Sequence, residues 1–303
     1  MPKLMIATPA YGEIFYAPYL HSVLALSRLA HKDKWDFIFE SISYAEVSEA
    51  RNYLVTRFFD KTDATHLLFI DADMGFPAKL VSDMLSIAKP VVGVVAPKRQ
   101  IDFKRFAELA RSENDTGRAV AKAHEFVVRP LRSAAPVHNG FIEVEACGAG
   151  ILLIERGCIE ALLRQAPKLS DEAAMGRTPL TKALPRLIRA FDPVVRSDGA
   201  RLSEDFAFCH RWRTLCGGEV WASVSHRITH VGLHHFAARF SDTGGAEKAT
   251  QNLLVVSPKV GKTVKGQIVP AGGAKVSEPK RDVRPGTKTI TIRLKDKVKT
   301  TRH

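Results

Sequence analysis

Two aspartates, Asp71 and Asp73, follow a short apolar run in the segment THLLFIDADMGFP (residues 65–77). The strand predicted by this run ends at Ile70, so both carboxylates fall in the turn before the next helix, where they can converge on one ion. Carboxylates that hold Mg²⁺ or Mn²⁺ together with phosphate oxygens of a substrate are a usual arrangement in enzymes. Solvation of the strand end and capping of the next helix is the alternative explanation of the pair.

Strands and helices alternate on both sides of this turn up to about residue 97. Apolar runs predict strands at residues 3–9, 35–42, 66–70 and 90–97. Helical spacing of apolar residues predicts helices at residues 17–30, 45–60 and 77–88. The alternation is typical of βαβ units and predicts an α/β, Rossmann-like fold with a mostly parallel sheet and helices on both faces. Ligands of such sheets bind at the carboxyl ends of the strands, where Asp71 and Asp73 lie.

The rest of the chain is less periodic, and the two common nucleotide-binding fingerprints are missing. No GxGxxG follows the first strand, and no GxxxxGK[ST] occurs. Residues 141–166 predict a strand, a glycine-rich turn, a second strand and a helix, and residues 203–217 predict a helix with Ser203 as its N-cap. The remaining predictions are a helix at 103–115, an edge strand at 125–131, a long loop with one short helix at 168–200, and a last strand at 219–232.

The positive charge is concentrated at the C-terminus. The formal net charge is +13, and residues 257–303 contain 13 Lys/Arg against 3 Asp/Glu, which leaves about +3 for residues 1–256. We therefore predict a nearly neutral folded domain at residues 1–256 and a basic, disordered tail at residues 257–303. No specific nucleic-acid partner is expected, and the tail is expected to make peripheral contact with an anionic membrane face.

Cysteine usage and hydropathy predict a cytoplasmic protein. The four cysteines have no CxxC spacing and are too few for a disulfide framework. The N-terminal segment has neither the apolar core nor the cleavage site of a signal peptide. No stretch approaches the run of about 18 apolar residues that a membrane-spanning helix needs.

Seven segments resemble, in the same order, motifs of glycosyltransferases with the GT-A fold, in particular those similar to glycosyltransferase family 2. The segment THLLFIDADMGFP resembles the DXD region of these enzymes. The other six are IATPAYG (6–12), SEARN (48–52), VVGVVAPKR (91–99), CGAGILLIER (147–156), SEDFAFCHRW (203–212) and ITHVG (228–232). Ala149 stands where these enzymes often have threonine between two glycines, a difference that removes no charged ligand. The resemblance covers residues 4–236 and leaves the tail unexplained.

The resemblance implies a GT-A-like fold and a metal-dependent transfer of a sugar from a nucleoside-diphosphate sugar to an acceptor that is a glycan, a lipid-linked compound or a protein. A divalent cation, Mn²⁺ or Mg²⁺, would compensate the charge of the leaving diphosphate. Asp73 is then the direct metal ligand, and Asp71 binds the metal or the ribose. His230 is the expected third ligand, with His234 and His235 as alternatives.

The remaining site residues take their expected roles from the same motifs. Asp205, with Glu204 beside it, would be the general base of an inverting transfer, and retention of configuration is the alternative, because some metal-dependent GT-A relatives retain it. Attraction to the helix dipole is the structural alternative for one of the two carboxylates. The residues expected at the nucleotide are Thr8, Pro9, Tyr11, Arg51, Asp71, Gly148 and Gly150. Lys98 and Arg99 could neutralise phosphate, but a solvated strand end is the more common reason for such a pair.

Two other functions remain open at this point. A nucleotidyl- or phosphotransferase would use the same metal chemistry, but TPAYGE at the first strand has no Lys or Arg to grip phosphates. A non-enzymatic polyanion-binding protein would act through the basic tail, and its binding would be sensitive to salt and lost with residues 257–303.

Overall fold

The computed structural model of this protein describes residues 2–131, 135–172, 182 and 184–233. The longer strands are β1 (Lys3–Pro9), β2 (Asp36–Ile42), β3 (His66–Ile70), β5 (Val91–Val94), β6 (Ala96–Ile101), β7 (His124–Pro130), β8 (Phe141–Cys147), β9 (Ile151–Glu155) and β14 (Val220–Ser223). Two-residue strands are β4 (Met74–Gly75), β10 (Ser170–Asp171), β11 (Leu187–Ile188), β12 (Val194–Val195), β13 (Arg201–Leu202) and β15 (Thr229–His230). The α-helices are α1 (Ala17–Lys32), α2 (Val47–Lys61), α3 (Lys79–Ser86), α4 (Phe103–Ser112), α5 (Thr116–Ala123), α6 (Arg156–Gln165) and α7 (Glu204–Cys216).

Nine strands form one mixed sheet in the order β2-β1-β3-β9-β5-β14-β8-β7-β6. β2, β1 and β3 are parallel, as are β5 and β14. β9 is inserted antiparallel between β3 and β5, and β8, β7 and β6 complete the sheet with antiparallel pairs. The predicted α/β, Rossmann-like fold is confirmed, and the predicted strand HLLFI corresponds to β3 residue for residue.

Both faces of the sheet are buried, which explains why its central strands are continuous apolar runs. On one face, Leu26 of α1 and Leu80 of α3 pack over Ile6 and Leu68. On the other face, Leu54 of α2, Ile159 of α6 and Phe208 of α7 pack over the opposite sides of β1, β3 and β9. The helices therefore cover both faces, as the alternation of strands and helices predicts.

The prediction that residues 125–131 form an edge strand is wrong. β7 lies between β8 and β6, and β6 is the edge strand at that end of the sheet. β6 has the sequence APKRQI, and its lysine and arginine are typical of an edge, because charged side chains hinder pairing with another chain. The sequence pattern did not separate β6 from the apolar strand β5 immediately before it.

The predicted last strand is divided in the structure, and the helix predicted at 103–115 ends three residues early. The helix is shorter, α4, and a second helix, α5, follows it. β14 ends at Ser223, and His226 follows in the next segment. Nε2 of His226 donates to Asp83 of α3 at 2.9 Å, and Nδ1 of His226 lies 2.8 Å from the Ser223 hydroxyl. After these contacts the chain continues to β15, which pairs with β4 instead of the main sheet.

Other predictions fall partly or wholly outside the described residues. Where residues 168–200 are described, they form a short 3-10 helix at Pro167–Leu169 and the two-residue strand pairs β10–β11 and β12–β13. The domain boundary at residue 256, the tail, His234 and His235 lie outside the described residues and stay predictions. No helix in the described part of the chain is long and apolar enough to cross a membrane.

Candidate active site

The turn after β3 carries Asp71 and Asp73, and two short strands hold it in place. β4 follows the turn directly and pairs antiparallel with β15, so that His230 is in register with Met74. The backbone N–H of Val231 donates to the carbonyl of Asp73 at 2.9 Å. A Cβ on Gly75 would lie 2.8 Å from the Pro18 side chain, so only glycine allows this close approach. The structure thus brings His230 next to Asp73 through backbone pairing.

Arg51 of α2 is buried beneath the turn and forms an ion pair with Asp71. Its Nη2 donates to both carboxylate oxygens of Asp71 at 2.9 and 3.0 Å, and its Nη1 donates to the Ala149 carbonyl at 3.3 Å. The Arg51 side chain is 3% exposed, whereas that of Asp71 is 29% exposed. Among the described residues, its buried Nε has no hydrogen-bond partner and faces Oε1 of Glu204 at 3.6 Å. Such a donor can be satisfied by a ligand or water oxygen.

The charges of this cluster shift its pKa values in a consistent way. Burial would lower the pKa of Arg51, but the carboxylates of Asp71, Glu204 and Asp205 outweigh it and raise that pKa. Burial raises the pKa of the Asp71 carboxyl, and the contact with Arg51 opposes the rise. Burial, with the nearby charge of Asp205, also raises the pKa of Glu204. Arg51 is therefore a fixed cation beside Asp71 and Glu204, two carboxylates that burial makes harder to ionise.

Glu204 and Asp205 form the first turn of α7, as predicted. Ser203 is the N-cap residue, but its hydroxyl accepts no hydrogen bond from a backbone N–H of the helix. The Ser203 hydroxyl donates to Oδ1 of Asp205, which also accepts from the backbone N–H of Phe206 at 2.8 Å. Oδ2 of Asp205 lies toward Gly148, 3.6 Å from where a Cβ on that glycine would be. One oxygen of Asp205 is therefore anchored, and the other lies beside Gly148.

Gly148 and Gly150 lie in the turn between β8 and β9. The backbone N–H of Asp71 donates to the Gly150 carbonyl at 2.8 Å, which fixes this turn beside the end of β3. A Cβ on Gly150 would lie 3.5 Å from Oδ2 of Asp71 and from the Met74 side chain, which are ordinary contact distances. Neither glycine is required by a left-handed backbone. A Cβ on Gly148 would lie 3.0 Å from the Val127 side chain, so this glycine allows a close approach of β7 beside Asp205.

Asp73 lies between His230 and Arg99. Its Oδ2 is 3.5 Å from Nε2 of His230 and accepts from Nη1 of Arg99 at 3.1 Å. The contact with Asp73 raises the pKa of His230. Burial would raise the pKa of Asp73, but His230 and Arg99 hold it below its usual value. Nδ1 of His230 donates to the Pro97 carbonyl at 2.9 Å, so a neutral His230 presents the lone pair of Nε2 toward Asp73.

These side chains surround one cavity of about 130 Å³. Its lining includes seven of the predicted site residues, drawn from five separate segments of the chain: Arg51, Asp71, Gly148, Gly150, Glu204, Asp205 and His230. Met74, Val94, Ala96, Val127, Ala149 and Ile151 complete the lining. Asp73 does not line the cavity and lies beside it, in contact with His230.

The three residues predicted from the first strand are outside this cavity. Thr8 is fully buried, and its hydroxyl lies 2.7 Å from that of Tyr19. Pro9 and Tyr11 follow at the same edge of the sheet as Asp71, because Ala7 is in parallel register with Phe69. Tyr11 is 72% exposed. The predicted nucleotide contacts of all three residues stay predictions.

The donor set fits a divalent cation that has few protein ligands. Within the described part of the chain, no group of three or more His, Cys, Asp or Glu side chains is arranged to hold a metal ion. Asp73 and His230 supply one carboxylate oxygen and one ring nitrogen, and both oxygens of Asp71 contact Arg51. Mg²⁺ typically takes one or two carboxylates together with substrate phosphates and water, and imidazole is an acceptable ligand for several divalent metals.

Arg99 lies closer to the candidate site than the sequence pattern indicates. The segment PKR by itself is more typical of a solvated strand end than of a phosphate contact. The alternation of side chains along β6 could have indicated otherwise, because it places Lys98 and Arg99 on opposite sides of the strand. In the structure Lys98 pairs with Glu125 at 2.7 Å, and Arg99 contacts Asp73.

Comparison with known proteins gives weak structural neighbours, which include glycosyltransferases. No family model and no curated protein matches the chain. The structure of A197 from STIV is 16% identical, with a TM-score of 0.41, over 77% of this chain and 87% of that one. A glycosyltransferase involved in the glycosylation of the major capsid of PBCV-1 is 8% identical, with a TM-score of 0.25, over 55% of this chain and 68% of that one. Mouse xyloside xylosyltransferase 1 is 12% identical, with a TM-score of 0.23, over 55% and 69%.

Proposed function

We propose that this protein is a metal-dependent glycosyltransferase that moves a sugar from a nucleoside-diphosphate sugar to an acceptor hydroxyl. The observation that carries the proposal is the convergence of Asp71, Glu204, Asp205 and His230 around one cavity that Gly148 and Gly150 also line. The three carboxylates can accept hydrogen bonds from a polyhydroxylated ligand, and the histidine and the buried arginine suit a charged leaving group attached to it.

Asp73 and His230 are the residues that would hold a divalent cation in this proposal. When bound there, Mn²⁺ or Mg²⁺ supplies positive charge that compensates the departing diphosphate. Asp71 has a different role, because Arg51 fixes both of its oxygens beneath the turn. Its remaining lone pairs can accept hydrogen bonds from hydroxyl groups of the sugar or the ribose.

Asp205 is the proposed general base. Ser203 and the backbone anchor its Oδ1, so that Oδ2 is the atom that accepts the proton of the acceptor hydroxyl. A base in this position supports a single displacement with inversion of the sugar's configuration. Glu204 is less suited to the role because it lies toward Arg51, and we assign it to positioning that arginine.

The size of the cavity limits which part of the donor it can receive. At about 130 Å³ it is smaller than the roughly 300–1,000 Å³ of pockets that enclose whole drug-sized ligands. We place the sugar unit in the cavity and the nucleotide outside it, along the edge of the sheet where Pro9 and the exposed Tyr11 lie. Tyr11 could stack on the base there.

The proposal is tested by metal-dependent release of nucleoside diphosphate from a panel of sugar nucleotides. The wild type is expected to hydrolyse at least one donor with Mn²⁺ or Mg²⁺ and none with EDTA. Asp73→Ala is expected to lower this rate by about 100-fold or more, because it removes the carboxylate of the metal pair. A wild type that binds no sugar nucleotide with any divalent metal would contradict the proposal.

Gly150→Ala tests whether the sugar occupies the space beside Asp71. The added methyl fits at ordinary contact distances, so the variant is expected to fold normally but to bind its sugar nucleotide about tenfold more weakly. Gly157→Ala is the matched control, because a Cβ there meets nothing within 4 Å and the residue lies in α6. Calorimetry measures the donor affinity of each variant, and urea unfolding measures its stability. Unchanged affinity in Gly150→Ala would place the sugar elsewhere.

A further inference from the structure

Each aspartate of the D-A-D turn is paired with an arginine, and the two pairs differ in burial. Arg51, paired with Asp71, is 3% exposed. Arg99, paired with Asp73, is 56% exposed and contacts the carboxylate through one nitrogen at 3.1 Å. A buried pair of this kind is fixed in place, whereas an exposed pair contributes little stability and opens at little cost.

The structure provides a specific place for the Arg99 side chain. A Cβ on Gly232 would lie 3.0–3.2 Å from the Cβ, Cγ and Cδ atoms of Arg99. Gly232 is the glycine of the ITHVG segment, two residues after His230, so the same segment supplies the histidine and leaves room for the arginine. Arg99 is thus directed across Gly232 to the carboxylate at which the proposed cation would bind.

Asp73 does not bind Arg99 and a divalent cation equally well at the same time. Its Oδ2 already faces Arg99 and His230, and a guanidinium within hydrogen-bond distance repels a divalent cation at the same oxygen. When a diphosphate arrives, the best acceptors for a planar, always charged guanidinium are the phosphate oxygens. A long exposed side chain can move between these two acceptors without a change in the fold.

We propose that Arg99 is a diphosphate-binding residue that pairs with Asp73 only in the absence of ligand, and that it turns to a phosphate oxygen when the donor binds. This inference rests on the proposed function. Arg99 would compete with the metal for Asp73 in the free protein and assist it in the complex, where both cations face the leaving group.

This exchange predicts opposite effects on two ligands, which a merely structural role would not produce. In Arg99→Ala, Mn²⁺ alone is expected to bind about threefold to tenfold more tightly, because Asp73 loses a competing cation. Inorganic pyrophosphate, measured with Mg²⁺ present, is expected to bind about tenfold more weakly, because a charge-assisted hydrogen bond is lost. Arg99→Lys keeps the charge and is expected to restore part of the pyrophosphate affinity.

The experiment uses the full chain, with Mn²⁺ titrations followed by electron paramagnetic resonance and pyrophosphate titrations by calorimetry. Lys98→Ala is the matched control, because Lys98 is a neighbouring cation of the same edge strand that pairs with Glu125 instead. If Arg99→Ala matches Lys98→Ala in both titrations, or weakens both ligands together, the inference is wrong.

The outcome for Arg99 can be separated from the outcome for the proposed function. Turnover of a sugar nucleotide by the wild type, with unchanged titrations in Arg99→Ala, would contradict the role of Arg99 and leave the transferase proposal intact. The opposite outcome is also possible to detect. If Mn²⁺ and pyrophosphate affinity shift in opposite directions but the wild type neither binds nor hydrolyses a sugar nucleotide, the diphosphate-binding role of Arg99 is supported and the transferase proposal is contradicted.

Discussion

Asp205→Asn is expected to lower the rate of donor hydrolysis by about 10²–10⁴-fold, the usual contribution of a general base. Asparagine has nearly the same shape as aspartate, and its Oδ1 can still accept from Ser203 and from the Phe206 amide. What changes is Oδ2, the atom that faces the space beside Gly148, because an amide nitrogen cannot accept a proton. Donor affinity is expected to stay within about twofold, since only the reacting step is affected.

The measurement needs no knowledge of the acceptor, because water can take its place. The rate of nucleoside-diphosphate release at saturating donor gives kcat, and calorimetry gives the donor dissociation constant. Glu204→Gln is the informative comparison, because this neighbouring carboxylate makes the same charge change but lies toward Arg51 at 3.6 Å. It is expected to lose much less of the rate. Full hydrolysis by Asp205→Asn would remove Asp205 as the base, and a larger loss in Glu204→Gln would transfer the role to Glu204.

Local patterns alone predict the turn that carries Asp71 and Asp73, whereas the other residues of the candidate site are predicted from the ordered set of motifs. Leu67 to Ile70 of β3 are apolar because both sheet faces are covered, so periodicity predicts the strand end and the turn that follows it. Glu204 and Asp205 form the first turn of α7, and the spacing that predicts this helix likewise depends only on neighbouring residues. Seven predicted residues line one cavity because their segments lie at ends of sheet strands or of helices beside them.

The pairing of charges within the site could not be predicted in the same way. Arg51 meets Asp71 across 20 positions of the chain, and Arg99 meets Asp73 across 26. Such contacts depend on which strands are neighbours, and strand order is not encoded in periodicity. The antiparallel insertion of β9 between β3 and β5 places the Gly148–Gly150 turn beside Asp71, and nothing local to residues 148–155 specifies that neighbour.

Arg51→Met is expected to destabilise the folded protein by about 3 kcal/mol, the lower end of the range for breaking a buried ion pair, because Asp71 keeps 29% exposure. The substitution preserves length and apolar packing against Phe69, whose ring centre lies 5.2 Å from the guanidinium. It leaves Asp71 without its cation and removes the hydrogen bond to the Ala149 carbonyl. The turn that carries the site should therefore lose order first, and donor binding should fall together with stability.

The double variant Arg51→Met/Asp71→Asn distinguishes loss of charge pairing from loss of packing. If the penalty comes from an unpaired carboxylate, Asp71→Asn recovers at least about 1 kcal/mol in the Arg51→Met background, while it costs stability in the wild type. Urea unfolding of the four proteins gives this coupling. Equal and additive losses would show that Arg51 acts through packing alone.

The pH dependence of Arg51→Met gives an independent check on the same explanation. Burial already raises the pKa of Asp71, and without Arg51 to oppose it the rise becomes larger. A carboxyl whose pKa is higher in the folded than in the unfolded state favours folding while protonated, and that contribution is lost as the pH rises through the folded pKa. The stability deficit of Arg51→Met relative to wild type should therefore grow as the pH rises above the ordinary pKa of an aspartate carboxyl. In the Asp71→Asn background the trend should become smaller, because only Glu204 then titrates without the opposing charge of Arg51.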